Sequence, residues 1–205
     1  PESFPGVLDD MRIYDYVLSD EQIAALSGRP YGLVGHWTLD ETTGTTAYDT
    51  SGNNFDGTMT NGLDAGNDSA TGAIGTAIGF DASDDYITTT TDDALDPDEV
   101  TVCAWVNRVG SGSADAWQEI AGNGWFQNYG WNLNLEPEAT NIQFFVNRSG
   151  ARDSASYNIG DTSGWHHYCG VFDGTYAHVY ADGVLGDTSV ATSLDDSSRA
   201  FMIGD

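Results

Sequence analysis

Short runs in which apolar and polar residues alternate recur along most of the chain. They are LVGHWTL at 33–39, AIGF at 77–80, DYITTTT at 85–91, VTVCAWVN at 100–107, WNLNL at 131–135, IQFFVN at 142–147, WHHYCGVF at 165–172, AHVYADG at 177–183 and FMIG at 201–204. A period of two sends successive side chains to opposite faces of a strand. In VTVCAWV, Val100, Val102, Ala104 and Val106 share one face, and Thr101, Cys103 and Trp105 share the other. In WHHYCGVF, Trp165, His167, Cys169 and Val171 fall together. Short strands separated by Gly, Ser, Thr, Asn and Asp predict an all-β fold, an antiparallel two-sheet jelly-roll sandwich of roughly 12–14 strands. Asp173-Gly174 and Asp182-Gly183 supply the positive φ of tight hairpin turns. One short helix is predicted near the N-terminus, from Asp20 to about Leu26. Ser19 stands as N-cap, Gln22 completes a capping box, and Gly28 marks the stop.

Composition narrows the functional classes. A chain of 205 residues that is 40% hydrophobic and 12% aromatic can build a core. No apolar run approaches the ~18–20 residues of a membrane helix. The net charge is −26: all six basic residues are Arg, and Asp outnumbers Glu by 25 to 7. Such a surface repels nucleic acid and anionic lipid, so no nucleic-acid partner and no membrane insertion are expected. The bulk of the charge reads as a solvated surface suited to a saline, halophilic setting, where screening weakens self-repulsion. Specific carboxylates can still hold a cation. Cys103 and Cys169 match no zinc spacing. They are either a disulfide between neighbouring strands, in an oxidising compartment, or two buried thiols.

Several of these segments, taken in order, resemble the laminin-G-like domains of the concanavalin-A-like lectin and glucanase superfamily. The segments are GLVGHWTLDETTGTTAYDTSGNNFDGT at 32–58, IGFDASDDYI at 78–87, VTVCAWVN at 100–107 and GWHHYCGVFDGTYAHVYADGVL at 164–185. The order of motifs has one departure. In the family, a strand like Gly6-Val7-Leu8-Asp9-Asp10-Met11-Arg12-Ile13-Tyr14, followed by a short helix, closes a unit; here it comes first. Residues 1–29 therefore resemble the tail of a preceding repeat, and 32–205 a sandwich that lacks its own tail, as in a piece of a tandem array. The segment 5–17 is expected to complete the sandwich by filling its last-strand slot.

The resemblance implies a secreted or cell-surface binding module whose partner is a polysaccharide or glycoconjugate. The alternative is a structural or adhesive repeat that contacts surface proteins or other repeats. Catalysis in related glucanases needs a strand of the form Glu-x-Asp-x-x-Glu, and none exists here. His166 and His167 are adjacent, so in a strand they face opposite ways. No catalytic residue is assigned. A structural Ca²⁺ is expected in the loop Asp49–Gly57, with Asp49, Asn54 and Asp56 as ligands. The resemblance adds Asp9 or Asp10 from the terminal strand. The competing reading is an Asx turn that satisfies its own backbone. For the sugar, Trp125, Phe126 and Tyr129 lie in a Gly- and Asn-rich loop and offer flat rings, unless they cap one end of the sandwich. Asn147, Arg148 and Arg152 offer hydrogen bonds, and the two Arg suit an acidic sugar.

Overall fold

The computed structural model describes residues 32–108, 117–124, 129–136, 140–148, 151–160, 163–191 and 193–204. Close contacts divide the chain into Pro1–Leu33 and Val34–Asp205. The elements below belong to the second unit. The predicted helix at 20–26 and the strand carrying Asp9 and Asp10 lie outside the described residues.

The strands are β1 (Thr46–Ala47), β2 (Gly57–Met59), β3 (Ser69–Thr71), β4 (Thr76–Ile78), β5 (Ile87–Thr88), β6 (Val100–Asn107) and β7 (Gln118–Gly122). They continue with β8 (Trp131–Leu135), β9 (Asn141–Arg148), β10 (Ala151–Asn158), β11 (Trp165–Phe172), β12 (Tyr176–Ala181), β13 (Val184–Val190) and β14 (Met202–Ile203). Helix α1 (Ala65–Asp68) is one turn long. Its N-cap Asp64 accepts from the Gly66 N–H at 2.7 Å, and Asp68 accepts from the Asp64 N–H at 2.8 Å. This reciprocal capping holds a turn too short to persist alone.

The sandwich is unequal. A large sheet runs β1-β2-β5-β14-β7-β8-β9-β10, and a small sheet runs β13-β12-β11-β6. A separate ribbon pairs β3 with β4. Every described ladder is antiparallel.

Strand register divides the large sheet into rows. One row reads Met59, Ile87, Ile203, Ala121, Leu133, Phe144 and Ala155 across β2, β5, β14, β7, β8, β9 and β10. Ile87, Leu133, Phe144 and Ala155 are fully buried. Against them the small sheet sets Tyr168, Phe172, Ala177, Val179 and Ala181. Each large apolar side chain removed from water contributes about 1.5–3 kcal/mol, which holds the layers together. The layers touch closely at Gly170, where an added Cβ would lie 2.1 Å from the Phe144 ring. Only glycine fits there.

The next row faces the other way. It reads Thr46, Thr58, Thr88, Met202, Gly122, Asn132, Phe145 and Ser154 across all eight strands. The single-residue step between the rows is what separates core from outer face.

The predicted run at 33–39 is not a strand. It contributes one bridge, Trp37 to Asp49. The reason is a side chain: Asp49 takes the His36 N–H at 2.9 Å, so that donor is lost to any ladder. Trp37 still anchors the segment, donating from Nε1 to the Phe55 carbonyl and stacking on Phe201.

Candidate functional site

The outer face of β7–β10 is built from amides. Alternation places Asn132 and Asn134 outward on β8, Gln143, Phe145 and Asn147 on β9, and Arg152, Ser154 and Ser156 on β10. Glu119 joins them from β7, opposite Asn134. Side chains on an outer face are normally solvated. Here Asn132, Asn134, Phe145 and Asn147 are only 2–6% exposed.

Mutual hydrogen bonding explains part of that burial. Asn132 donates from Nδ2 to Glu119 Oε2 at 2.5 Å. Asn141 donates to Glu136 Oε2 at 2.5 Å, and Gln143 Nε2 donates to the other Glu136 oxygen. Asn147 donates from Nδ2 to the carbonyls of Tyr129 and Gly130. Its Oδ1 is buried with no hydrogen-bond partner among the described residues. A buried acceptor left this way costs about 1–3 kcal/mol unless an ordered water or a neighbouring group reaches it.

Aromatic and cationic groups rim the amides. Trp117 packs edge-on against Phe145 at 5.3 Å. The Arg152 guanidinium lies over the Phe145 ring at 4.0 Å and over Trp117 at 5.6 Å. Burial lowers the pKa of Arg152 below the ordinary guanidinium range. Arg148 instead pairs with Asp153 at 2.8 Å. The other described arginines also adjoin this sheet: Arg108 donates to Gln118, and Arg199 to the Gly124 carbonyl.

The sequence candidates are thus partly regrouped. Asn147 and Arg152 come together on the outer face. Tyr129 is 51% exposed beside them and offers its carbonyl to Asn147. Trp125 and Phe126 lie outside the described residues. Asn132, Asn134, Gln143, Phe145 and Trp117 were not among the candidates. The signal that finds them is an amide at alternate positions of two neighbouring apolar strands, W-N-L-N-L and N-I-Q-F-F-V-N.

The loop 49–57 is closed on itself. Asp49 Oδ1 accepts the N–H groups of His36 and Ser51, and Oδ2 accepts the N–H of Phe55 and lies 2.8 Å from the Ser51 hydroxyl. Burial raises its pKa, but the bonds from His36, Phe55 and Ser51 outweigh that and hold it below the ordinary value. Asp56 accepts the Asp49 N–H at 2.8 Å, and Asn54 sits at φ 64°. A carboxylate offers about four lone-pair directions, and three of those of Asp49 hold backbone N–H groups, as an Asx turn requires. A calcium ion at Asp49 would have to share these acceptors with the N–H groups of its own loop.

Two further acidic groups lie apart. Asp93, Asp96 and Asp196 line, with Ser197, a cavity of about 220 Å³. Burial raises the pKa of Asp96, against bonds from Ser197 and Asn123 and with help from the charges of Asp196 and Asp93. Asp81, Asp84 and Asp85 cluster on the surface between β4 and β5.

The small sheet has a different outer face. Cys103 and Cys169 stand opposite each other on β6 and β11, 4.2 Å apart at Cα, and are joined by a disulfide. That spacing belongs to the closer kind of antiparallel pair. Beside them Trp105 leans on His167 with ring centroids 5.2 Å apart. Tyr180 and Leu185 continue the row of the disulfide, and Tyr176 and Val190 flank it.

An antiparallel sandwich of this topology, with an amide-lined sheet face, defines a lectin-like jelly roll. The chain belongs to the concanavalin A-like lectin/glucanases superfamily: the family model Laminin_G_3 matches residues 81–205. No curated protein matches the chain. Among solved structures it is similar to domain 4 of AbnA, a GH43 extracellular arabinanase from Geobacillus stearothermophilus, in complex with arabinotriose. That match has TM-score 0.65 and 17% identity, and it covers 83% of this chain and 82% of that one. It is also similar to the binding domain of botulinum neurotoxin serotype G, at TM-score 0.55 and 17% identity, over 77% of this chain and 40% of that one. No helix among the described residues is long and apolar enough to cross a membrane.

Proposed function

We propose that this chain is a non-catalytic carbohydrate-binding module, secreted or displayed at a cell surface, and that it binds sugar on the outer face of β7–β10. The observation that carries the reading is the set of recessed side-chain amides around Phe145. Amides bond sugar hydroxyls, and a ring edge or face covers the apolar C–H patches of a pyranose or furanose. The arabinotriose-bound neighbour supports a sugar partner. The disulfide supports an oxidising compartment.

Among the described residues, Glu119 and Glu136 are the carboxylates of this face, and both hold amides. Glu136 accepts an amide N–H on each oxygen, so its carboxylate braces Asn141 and Gln143. Glycosidic cleavage needs a carboxyl group placed to deliver a proton to the leaving group. The reading also assigns to the Asp49 carboxylate the loop-holding part expected of calcium.

The test is a glycan panel read by affinity electrophoresis and calorimetry. Asn132→Ala and Trp117→Ala should each weaken the best ligand about tenfold, a loss of ~1.4 kcal/mol. Unchanged affinity in both variants would remove this face from the reading. The aromatic face of the small sheet favours the second reading, a repeat that docks on protein, and a clean negative across the panel would select it.

A further inference from the structure

The disulfide of the small sheet stands beside a histidine. Cys103 and Cys169 are opposite residues on β6 and β11, and His167 lies two residues before Cys169. A period of two brings His167 and Cys169 to one face of β11, and the register brings Cys103 to them. The His167 Nδ1 lies 3.8 Å from the Cys169 Sγ. The two sulfurs and the ring nitrogen all lie within 4.8 Å of one another. The sequence hides this grouping: the cysteines have a sequence separation of 66, so no linear zinc spacing results.

With the disulfide closed, each sulfur is occupied by the other. With it open, the set becomes two thiols and an imidazole. Zn²⁺ binds Cys sulfur at ~2.3 Å and His nitrogen at ~2.0–2.1 Å, in a tetrahedron. Ligands at those lengths stand about 3.8 Å apart from sulfur to sulfur and about 3.6 Å apart from sulfur to nitrogen. The distance from Cys169 Sγ to His167 Nδ1 already fits. The sulfurs need only turn apart about their Cα–Cβ bonds, while the Cα atoms stay in register at 4.2 Å. The histidine is held in place: its N–H donates to Asp182 Oδ1 at 2.9 Å, and its carbonyl accepts the Asp182 N–H at 2.8 Å. Trp105, its cross-strand partner, walls the ring with an apolar surface. Outer groups of this kind orient a ligand and shield the ion. Cys103 is exposed, and Cys169 and His167 are half-buried, so reductant and ion reach the sulfurs from solvent. A net charge of −26 draws cations toward the chain.

We propose that this face is a redox-gated metal site, in which reduction of the Cys103–Cys169 disulfide creates a Zn²⁺ site from Cys103 Sγ, Cys169 Sγ and His167 Nδ1. A dithiol supplies two electrons and two protons: its own sulfurs close to a disulfide as the Cys103–Cys169 bond opens to two thiols. Zn²⁺ then displaces both thiol protons to solvent, and His167 binds through the lone pair of its neutral Nδ1. Three protein ligands leave the fourth position to water. The ion takes over the link between β6 and β11 that the disulfide made. The site stands on the small sheet and is independent of sugar binding on the large one.

The test uses the full chain, reduced with dithiothreitol and freed of it by anaerobic gel filtration. Zn²⁺ is titrated by calorimetry, and Co²⁺ by absorption spectroscopy. The reduced chain should take up one ion with a thiolate-to-Co²⁺ charge-transfer band and the visible bands of a tetrahedral site. The oxidised chain should show neither band, and its uptake of Zn²⁺ measures the background of surface carboxylates. Cys103→Ser should remove the charge-transfer band's two-thiolate intensity. His167→Ala should weaken Zn²⁺ about 100-fold, the upper end of what loss of a mere outer-shell partner costs. His178→Ala, on the neighbouring strand, should leave affinity within about twofold of the parent. Zn²⁺ should raise the melting temperature of the reduced chain and leave that of the oxidised chain unchanged. If reduction alone unfolds the chain, Zn²⁺ should refold it, as circular dichroism would show. A reduced chain that holds Zn²⁺ no more tightly than the oxidised chain overturns the proposal. So does an unfolded reduced chain that Zn²⁺ fails to restore. Equal affinities in His167→Ala and His178→Ala also overturn it, because the histidine would then be no ligand.

Discussion

The two sheets obey one alternation rule and present opposite outer faces. On the large sheet the outward positions of β8 and β9 are amides and one phenyl ring, nearly closed to water and bonded to each other. On the small sheet the outward positions that pair across β6, β11, β12 and β13 carry no Asp, Glu or Arg, in a chain of net charge −26, and Asp173 meets the face at His178. Trp105 is 47% exposed there and Val190 57%. The first face is held by polar pairing and the second by a covalent staple between two strands. Burial of polar groups at an outer position requires partners, and those partners fix donor and acceptor directions. Exposure of apolar groups requires none, so the small-sheet face carries packing area without directional chemistry. On the proposed reading, specificity belongs to the first face and rigidity to the second.

The largest expected effect separates rigidity from recognition. Cys103 and Cys169 close a loop across a sequence separation of 66. Replacing both with Ala should lower stability by about 4 kcal/mol, through the freedom returned to the unfolded chain. Denaturant melts should show this, while glycan affinity at low temperature should stay within about twofold. An equal loss of affinity would mean that the small sheet shapes the binding face.

How much of this was legible depended on what each strand sets against the core. VTVCAWVN and WHHYCGVF put large apolar residues inward, so β6 and β11 were read correctly to the residue. The hairpin at Asp182-Gly183 was equally plain: both residues take positive φ, at 50° and 78°. Three strands carried no such pattern. In ARDSASYN, the inward Ala155 is small and Tyr157 is only partly buried, because Tyr157 packs where Gly186 of β13 leaves room. QEIAG is broken by an irregular register at Ile120, and VLGDTSV by the one opposite His178 and Tyr180. The amides of WNLNL and IQFFVN gain a shared face only where β7 and β10 flank β8 and β9. The excess of Asp over Glu was read as surface charge. Part of it caps loops: Asp40 holds the Thr76 N–H, Asp173 those of Thr175 and Tyr176, and Asp182 that of His167. Asp173, like Asp64 at Gly66, reaches an N–H two residues on in its own turn, as a short carboxylate can.

Asp49 belongs to neither face and so provides an intermediate effect between them. Its folded pKa lies below the ordinary value of 3.8. Its ionised form therefore contributes stability that is present above that pH and is lost as pH falls further, toward the folded value. Asp49→Ala should cost about 1–2 kcal/mol from the lost acceptors. Asp49→Asn should flatten the acid limb of the stability curve below about pH 4. Chelator should leave the melting temperature of the parent chain unchanged. A melt that drops in chelator, and drops no further in the variant, would return calcium to this loop.

The smallest effect is the most discriminating for the comparison. Trp105 meets His167 across the strands of the small-sheet face, and a cross-strand pair of this kind contributes about 0.2–1 kcal/mol. Trp105→Ser should therefore change stability by less than ~1 kcal/mol and glycan affinity by less than about twofold. The contrast lies with Trp117, which is the less exposed ring at 36% yet sits against Phe145 and under Arg152. Exposure alone would rank Trp105 as the better platform. Directional partners rank Trp117 first, because a sugar ring placed there meets amides and a guanidinium in the same step. If Trp105→Ser abolished binding and Trp117→Ala did not, exposed aromatic area would outrank polar placement, and the recognition face would have to be moved to the small sheet.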